Sequence, residues 1–310
     1  MLGPELGVSA LALRGPSGPP LSIDFQTNLY HRAGKTSATF VGMSGTTFSR
    51  SGAGVASWSD GSLAAFAANA PRITDRGLLL EAAATNLLHP STNPTIWPSV
   101  SNVTVATVPS VSPVLAAPAR VVSTGNAGGY LATINAIPYV SGAVYSVQVW
   151  YEADGNGGAL AVLLPGSAVA YRGATGVWTY SGSGFSAGSD VPVAGNIRRA
   201  TLTLNSPVTA NGRLGVGPNS ATSGQALIVH AAQVEAGTSA TSLIVTAGAS
   251  GTRGADNASL TVPAGAATYE AIYGGGLMAT GAVTPGATFD LVAGRPWIGS
   301  GNELKRLIMT

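Results

Sequence analysis

No cysteine occurs in the 310 residues, which removes a disulfide frame and a thiolate metal site from consideration and leaves the redox compartment open. Charge is nearly as scarce. Asp, Glu, Lys and Arg make up 9% of the chain, against about 25% in ordinary globular proteins, and helical surfaces need more charge than that. The net charge is +2, and apart from Arg198-Arg199 and Lys305-Arg306 the basic residues stand singly, so no basic stripe is present for nucleic acid. Only His31, His89 and His230 could supply imidazole, and none has a second His or a carboxylate beside it in the sequence, so neither a metal nor another cofactor is expected. Long apolar runs are also missing. The longest, ALAVLLPGSAVAY at 159–171, is broken by Pro165 and falls short of the roughly 18–20 residues that span a bilayer, so a soluble chain without membrane insertion is expected. The apolar stretch from Leu6 to Leu13 lacks a preceding positive residue and meets Arg14 at once, unlike a secretory leader.

What is abundant is Gly, Pro, Ser, Thr, Ala and Val in short runs, which implies an all-β chain of many strands. Residues 1–20 read as an attachment peptide and a stiff Gly/Pro linker, RGPSGPPL, biased to polyproline II. Residues 21–89 read as a small N-terminal β region in which 77–88 could form a helical turn or two, and HPSTNPTIWPSV with Pro90, Pro94 and Pro98 marks a boundary. Nine evenly spaced apolar runs then predict a central jelly-roll β-sandwich over 90–250. Residues 251–310 offer four strands at most, a short C-terminal β unit too small to stand alone.

Several strings mimic catalytic motifs without their context. GFSAG at 184–188 fits G-x-S-x-G, but a nucleophile elbow must turn from a strand into a helix, and SDVPVAG with Pro192 follows. AGKTS at 33–37 has Leu29 where a phosphate-binding loop needs its first glycine. Asp154-Gly155 and Asn156-Gly157 read as a tight hairpin turn rather than a calcium loop. His230, inside an apolar strand, reads as a partnered interior or interface residue rather than a catalytic base. Glycoside hydrolysis needs two facing carboxylates, and no pair is nominated.

The constructive signal is aromatic. In YSVQVWYEA, strand alternation sends Tyr145, Val147, Val149 and Tyr151 to one face and Gln148, Trp150 and Glu152 to the other. Trp178 and Tyr180 share a face in GVWTYSG. Sugar rings stack on indole or phenol while amides and carboxylates take hydroxyls, so Gln148, Trp150, Glu152, Trp178 and Tyr180 form a candidate carbohydrate-binding set. The competing reading packs these rings against the N-terminal region or a sister subunit. Gln233 and Glu235, two apart on one face, are expected to hold loop backbone amides.

Two signatures carry a resemblance. AAFAANAPRITDRGLLLEAAATNLL at 64–88, preceded by IDFQTN and TTFSRSGAGVAS, and QVEAGTSATSLIVT followed by TRGADN, together resemble bacteriophage and gene transfer agent head-spike fibre or tail-fibre proteins with a carbohydrate-binding-module-like jelly roll. Phe48-Ser49-Arg50-Ser51-Gly52 departs from that family's usual F-T-R-A-S. The resemblance spans about 21–260. It implies a non-enzymatic virion protein, often a homotrimer, that contacts other virion proteins and host-surface polysaccharide, and it transfers no site residues. A purely structural capsid or tail component and a polysaccharide depolymerase remain the alternatives.

Overall fold

The computed structural model describes residues 18–100, 102–110, 112–125, 129–155, 157–164, 168–292 and 303–310. Most of the expected attachment peptide, and Asn156 of the expected hairpin, lie outside them. The described chain is all β, and its helical pieces are two single 3-10 turns, Pro94–Ile96 and Gly274–Gly276. Residues 77–88, where a helical turn was expected, instead carry the strands Gly77–Leu79 and Ala84–Asn86.

The centre is a sandwich of two six-stranded antiparallel sheets. One runs in the order Ser99–Val100, Tyr130–Ala132, Gly215–Gly217, Leu160–Leu164, Ala168–Arg172, Trp178–Ser181. The other runs Val103–Thr107, Ala119–Ser123, Ala226–Ala236, Val144–Asp154, Ile197–Asn205, Phe185–Ala194. Alternation places Tyr145, Val147, Val149 and Tyr151 in the core between the sheets, with Leu160, Val162, Leu202 and Val234. The turn after Asp154 is not a hairpin: it carries the chain from one sheet to the other, so Val144–Asp154 and Leu160–Leu164 never pair. An ion cluster closes one side of the sandwich. Asp190 accepts from Tyr151 at 2.9 Å and from Arg198, and faces Arg172 of the opposite sheet at 2.9 Å. Burial raises the Asp190 pKa, but the hydrogen bonds from Arg198 and Tyr151 and the two guanidinium charges outweigh it and hold the carboxyl below its ordinary range.

The flanking segments do not form two separate units. Leu21–Asp24 pairs with Leu304–Met309, Thr46–Ser49 with Asn257–Thr261, and Ala84–Asn86 with Gly251–Arg253. The two ends of the described chain therefore interleave in shared sheets around one core that includes Ile23, Phe25, Phe40, Leu78, Leu260 and Leu307. Four strands could not bury such a core alone, and the pairing with the N-terminal strands removes that deficit.

This second body is fastened to the sandwich through buried charge. Arg50, Arg72, Glu81, Arg253 and Asp256 are all essentially inaccessible to solvent. Arg72 donates to Glu81 at 2.6 Å and also pairs with Asp256, Arg50 reaches Asp256 at 3.2 Å, and Arg253 binds Glu81. Ser242, from the segment that leaves the sandwich, donates its hydroxyl to Glu81 at 2.6 Å and its amide at 2.8 Å. Arg76 meets Glu303 at 3.4 Å.

Removing one partner strands the others in low dielectric, so Arg253→Leu should lower stability by about 3–5 kcal/mol, read as a fall in the urea midpoint. Acid tests the same cluster. Burial pushes the Glu81 pKa up, but Arg72, Arg253 and the Ser242 hydrogen bond prevail and lower it from 4.5 to about 2. A depressed carboxyl stabilises the fold above its unfolded pKa, so this contribution should be full above about pH 4.5 and lost as pH falls towards about 2. Denaturant melts through that window measure it, and Glu81→Gln should flatten the acid limb.

Candidate functional site

The outer face of Val144–Asp154 is not the wet platform that alternation suggested. Gln148 is 0% exposed and Trp150 2%. The physical reason is that the second body and the segment after Ala236 cover this face. Trp150 packs with Val55, Leu115, Ile197 and Leu243, and Gln148 donates to Glu235 at 3.1 Å and to the Thr241 carbonyl at 3.0 Å. Gln233 accepts from the Ile244 amide at 2.6 Å, and Glu235 from the Thr241 amide at 3.0 Å and hydroxyl at 2.6 Å. The expected backbone-holding role of Gln233 and Glu235 is thus present, and Gln148 belongs with them. Burial raises the Glu235 pKa, opposed by the two Thr241 hydrogen bonds.

Glu152, two residues beyond Trp150, is the member of that trio that keeps contact with solvent, at 20% side-chain exposure. His230 lies behind it, in a bulge that leaves it outside the ladder register, and is interior as expected, but neither ring nitrogen has a hydrogen-bond partner. Burial lowers its pKa from 6.5 to about 4, so the ring is neutral at ordinary pH.

Trp178 and Tyr180 are placed together, away from the first trio. Both lie across Gly188, where a Cβ would come 2.9 Å from Trp178 Cδ2 and 2.9 Å from Tyr180 Oη. Trp178 is half-buried against the sandwich core and its indole nitrogen has no hydrogen-bond partner, while Tyr180 is 40% exposed. Tyr180 stacks on Phe185, with ring centroids 6.4 Å apart and an interplanar angle of 26°. Phe185 in turn walls a shallow groove of about 490 Å³ whose rim carries Ser141, Ser183, Ser186, Asn205 and Pro207. Gly184 is required at the groove floor, since its φ is +123° and a Cβ would sit 2.8 Å from the Asn205 carbonyl.

GFSAG therefore has a structural meaning. Its two glycines allow the close approaches, Phe185 supplies a ring, and Ser186 lies exposed in the strand Phe185–Ala194 with no helix after it. Phe185 and Asn205 were not among the sequence candidates. The signal that could have found Phe185 is a lone aromatic set among glycines, Gly182, Gly184 and Gly188; nothing in the sequence marks Asn205.

No family model and no curated protein matches the chain. It is similar in part to solved structures. An arabinose-bound α-L-arabinofuranosidase matches at 16% identity and a TM-score of 0.36, over 63% of this chain and 32% of that one. The CBM22-1 and GH10 modules of Clostridium thermocellum endo-1,4-β-D-xylanase 10B with xylohexaose match at 15% and 0.31, over 54% and 30%. The CBM22-1 xylan-binding domain of Paenibacillus barcinonensis Xyn10C matches at 10% and 0.33, over 52% and 99%. The chain thus spans about a third of the first two and nearly all of the third. At these TM-scores the likenesses carry no argument about ligand or activity, and none of the three is described as a virion protein.

Gly188→Ala places a methyl against Trp178, Tyr180 and Leu202. It should cost about 1–3 kcal/mol by overpacking, with a shift in tryptophan emission, both read from a thermal melt followed by fluorescence.

Proposed function

We propose that the protein is a fibre or spike subunit of a bacteriophage-like virion that binds host-surface polysaccharide in the groove beside Tyr180 and Phe185. The observation that carries the binding half is the exposed Tyr180, stacked on the half-buried Phe185, next to a groove rimmed by serine hydroxyls and an amide. Such a surface offers flat apolar contact for the CH face of a sugar and donors and acceptors for its hydroxyls. The virion half rests on the two signatures at 64–88 and 233–257, which supply Arg72, Glu81, Arg253 and Asp256 to the buried cluster described above.

The mechanism is adhesion rather than cleavage. Among the described residues no Asp or Glu lines the groove, whereas glycoside hydrolysis uses two carboxylates across the scissile bond. A shallow groove with one aromatic pair gives weak binding per subunit, and several copies on one particle, as in a homotrimer, raise the avidity by effective concentration. In this reading the N-terminal segment joins the subunit to other virion proteins.

Tyr180→Ala should weaken polysaccharide binding about tenfold, the loss expected for one aromatic contact of about 1.4 kcal/mol. Asn205→Ala should weaken it further. Titration calorimetry against bacterial capsule and lipopolysaccharide fractions, with xylohexaose as an additional probe, measures both. Trp150→Ala, by contrast, should act on stability, at about 3–5 kcal/mol. Unchanged binding in Tyr180→Ala would leave a structural subunit without this site. Release of reducing ends from the same fractions would make the protein a depolymerase.

A further inference from the structure

A second concavity, of about 320 Å³, lies at the seam between the sandwich and the second body. Its apolar walls are Leu63 from the hairpin strand Leu63–Phe66, Leu115 from the segment before Ala119–Ser123, and Val193 and Ile197 from neighbouring sandwich strands. Glu152 presents the charge in this lining. Of the other polar groups around it, the Ser62 hydroxyl donates to Asp60 at 2.7 Å, the Ser112 hydroxyl accepts from the Val114 amide at 3.2 Å, and Asn196 is exposed at the rim.

Glu152 has no counter-ion among the described residues. His230 Nε2 is 3.9 Å from its Oε1, beyond hydrogen-bond reach, and that ring is neutral. Arg120 is taken by Asp154, two residues along the same strand. Burial, and then the charge of Asp154, raise the Glu152 pKa, as expected of a carboxylate that lacks compensation. A partly desolvated anion with apolar walls and no partner is costly unless something supplies the missing charge. A divalent metal ion fits poorly, because it wants several oxygen ligands and Glu152 is the one carboxylate in a lining otherwise made of four aliphatic side chains, two serines, a glycine and Asn196. An organic cation does fit, since its charged end answers Glu152 and its hydrocarbon answers Leu63, Leu115, Val193 and Ile197.

We propose that this seam cavity is a binding site for a small organic cation, a primary or secondary ammonium on a short hydrocarbon body, with Glu152 as its counter-ion. The site is separate from the Tyr180–Phe185 groove and does not depend on it.

The test uses the full chain and two probes of matched shape, hexylammonium and neutral hexan-1-ol, titrated calorimetrically at pH 7.5 and low salt. Hexylammonium should bind at least tenfold more tightly than hexan-1-ol to the native protein. In Glu152→Gln, which keeps the side-chain shape, that preference should vanish while the thermal midpoint stays within a few degrees of the native value. Equal affinity for the two probes in the native protein, or no binding of hexylammonium, overturns the proposal. So does an ammonium preference that survives in Glu152→Gln. The native-protein comparison decides the matter even where the variant fails to fold.

Discussion

The buried cluster of Arg50, Arg72, Glu81, Arg253 and Asp256 is the interaction on which the rest of the structure depends. Three guanidinium groups and two carboxylates meet out of water. Such an arrangement is tolerable only when nearly every lone pair and proton is used. Here much of the remaining capacity is filled by backbone: Asp256 accepts the Glu81 amide at 2.7 Å, Arg50 donates to the Ala67 carbonyl at 2.7 Å, and Arg253 to the Ala82 carbonyl at 2.8 Å, while Arg72 Nε and Arg253 Nε stay without a hydrogen-bond partner. Because its members come from positions up to 206 residues apart, the cluster forms only when the flanking segments and the sandwich exit are all in place. A polar network of this kind specifies one arrangement more than it adds net stability.

From that constraint the functional surface follows. Ser242 ties the cluster to the segment held by Gln148, Gln233 and Glu235, and this segment with the Gly54–Ser57 and Leu63–Phe66 hairpin closes over Trp150. One sandwich face is thereby spent on internal packing. What remains open near an aromatic is the far edge, where Gly184 and Gly188 let Trp178, Tyr180 and Phe185 approach the backbone. The closure is incomplete at Glu152, and that gap is the seam cavity.

Much of the fold is legible in the sequence because strand alternation is a local property. The nine apolar runs and the inward set of Tyr145, Val147, Val149 and Tyr151 emerge where expected. Phe185–Ala194 is not legible, since Gly, Ser and Pro192 depress its strand signal. It survives as an edge strand, where a missing amide donor is tolerated. Long-range pairing is equally silent. Leu21 opposite Met309 leaves no trace in composition or period, which is why the two flanks read as separate units. The charged residues of the signatures show no more: Arg72 meets Glu81 nine residues on, but its contact with Asp256 leaves no trace in the sequence. For the candidate site, alternation gives the face of Trp150 correctly but says nothing of what covers it. Trp178 and Tyr180 lie together as their spacing implies, and Phe185 joins them only through the sheet edge.

Amide hydrogen exchange of the full chain, with and without a polysaccharide that it binds, tests the location of the ligand face most directly. The account predicts slow exchange across 144–152 in the free protein that the ligand leaves unchanged, and new protection confined to 141–142, 178–188 and 204–207. New protection at 148–152 on ligand binding would contradict it, because the ligand would then contact the Trp150 face that the buried cluster is argued to seal.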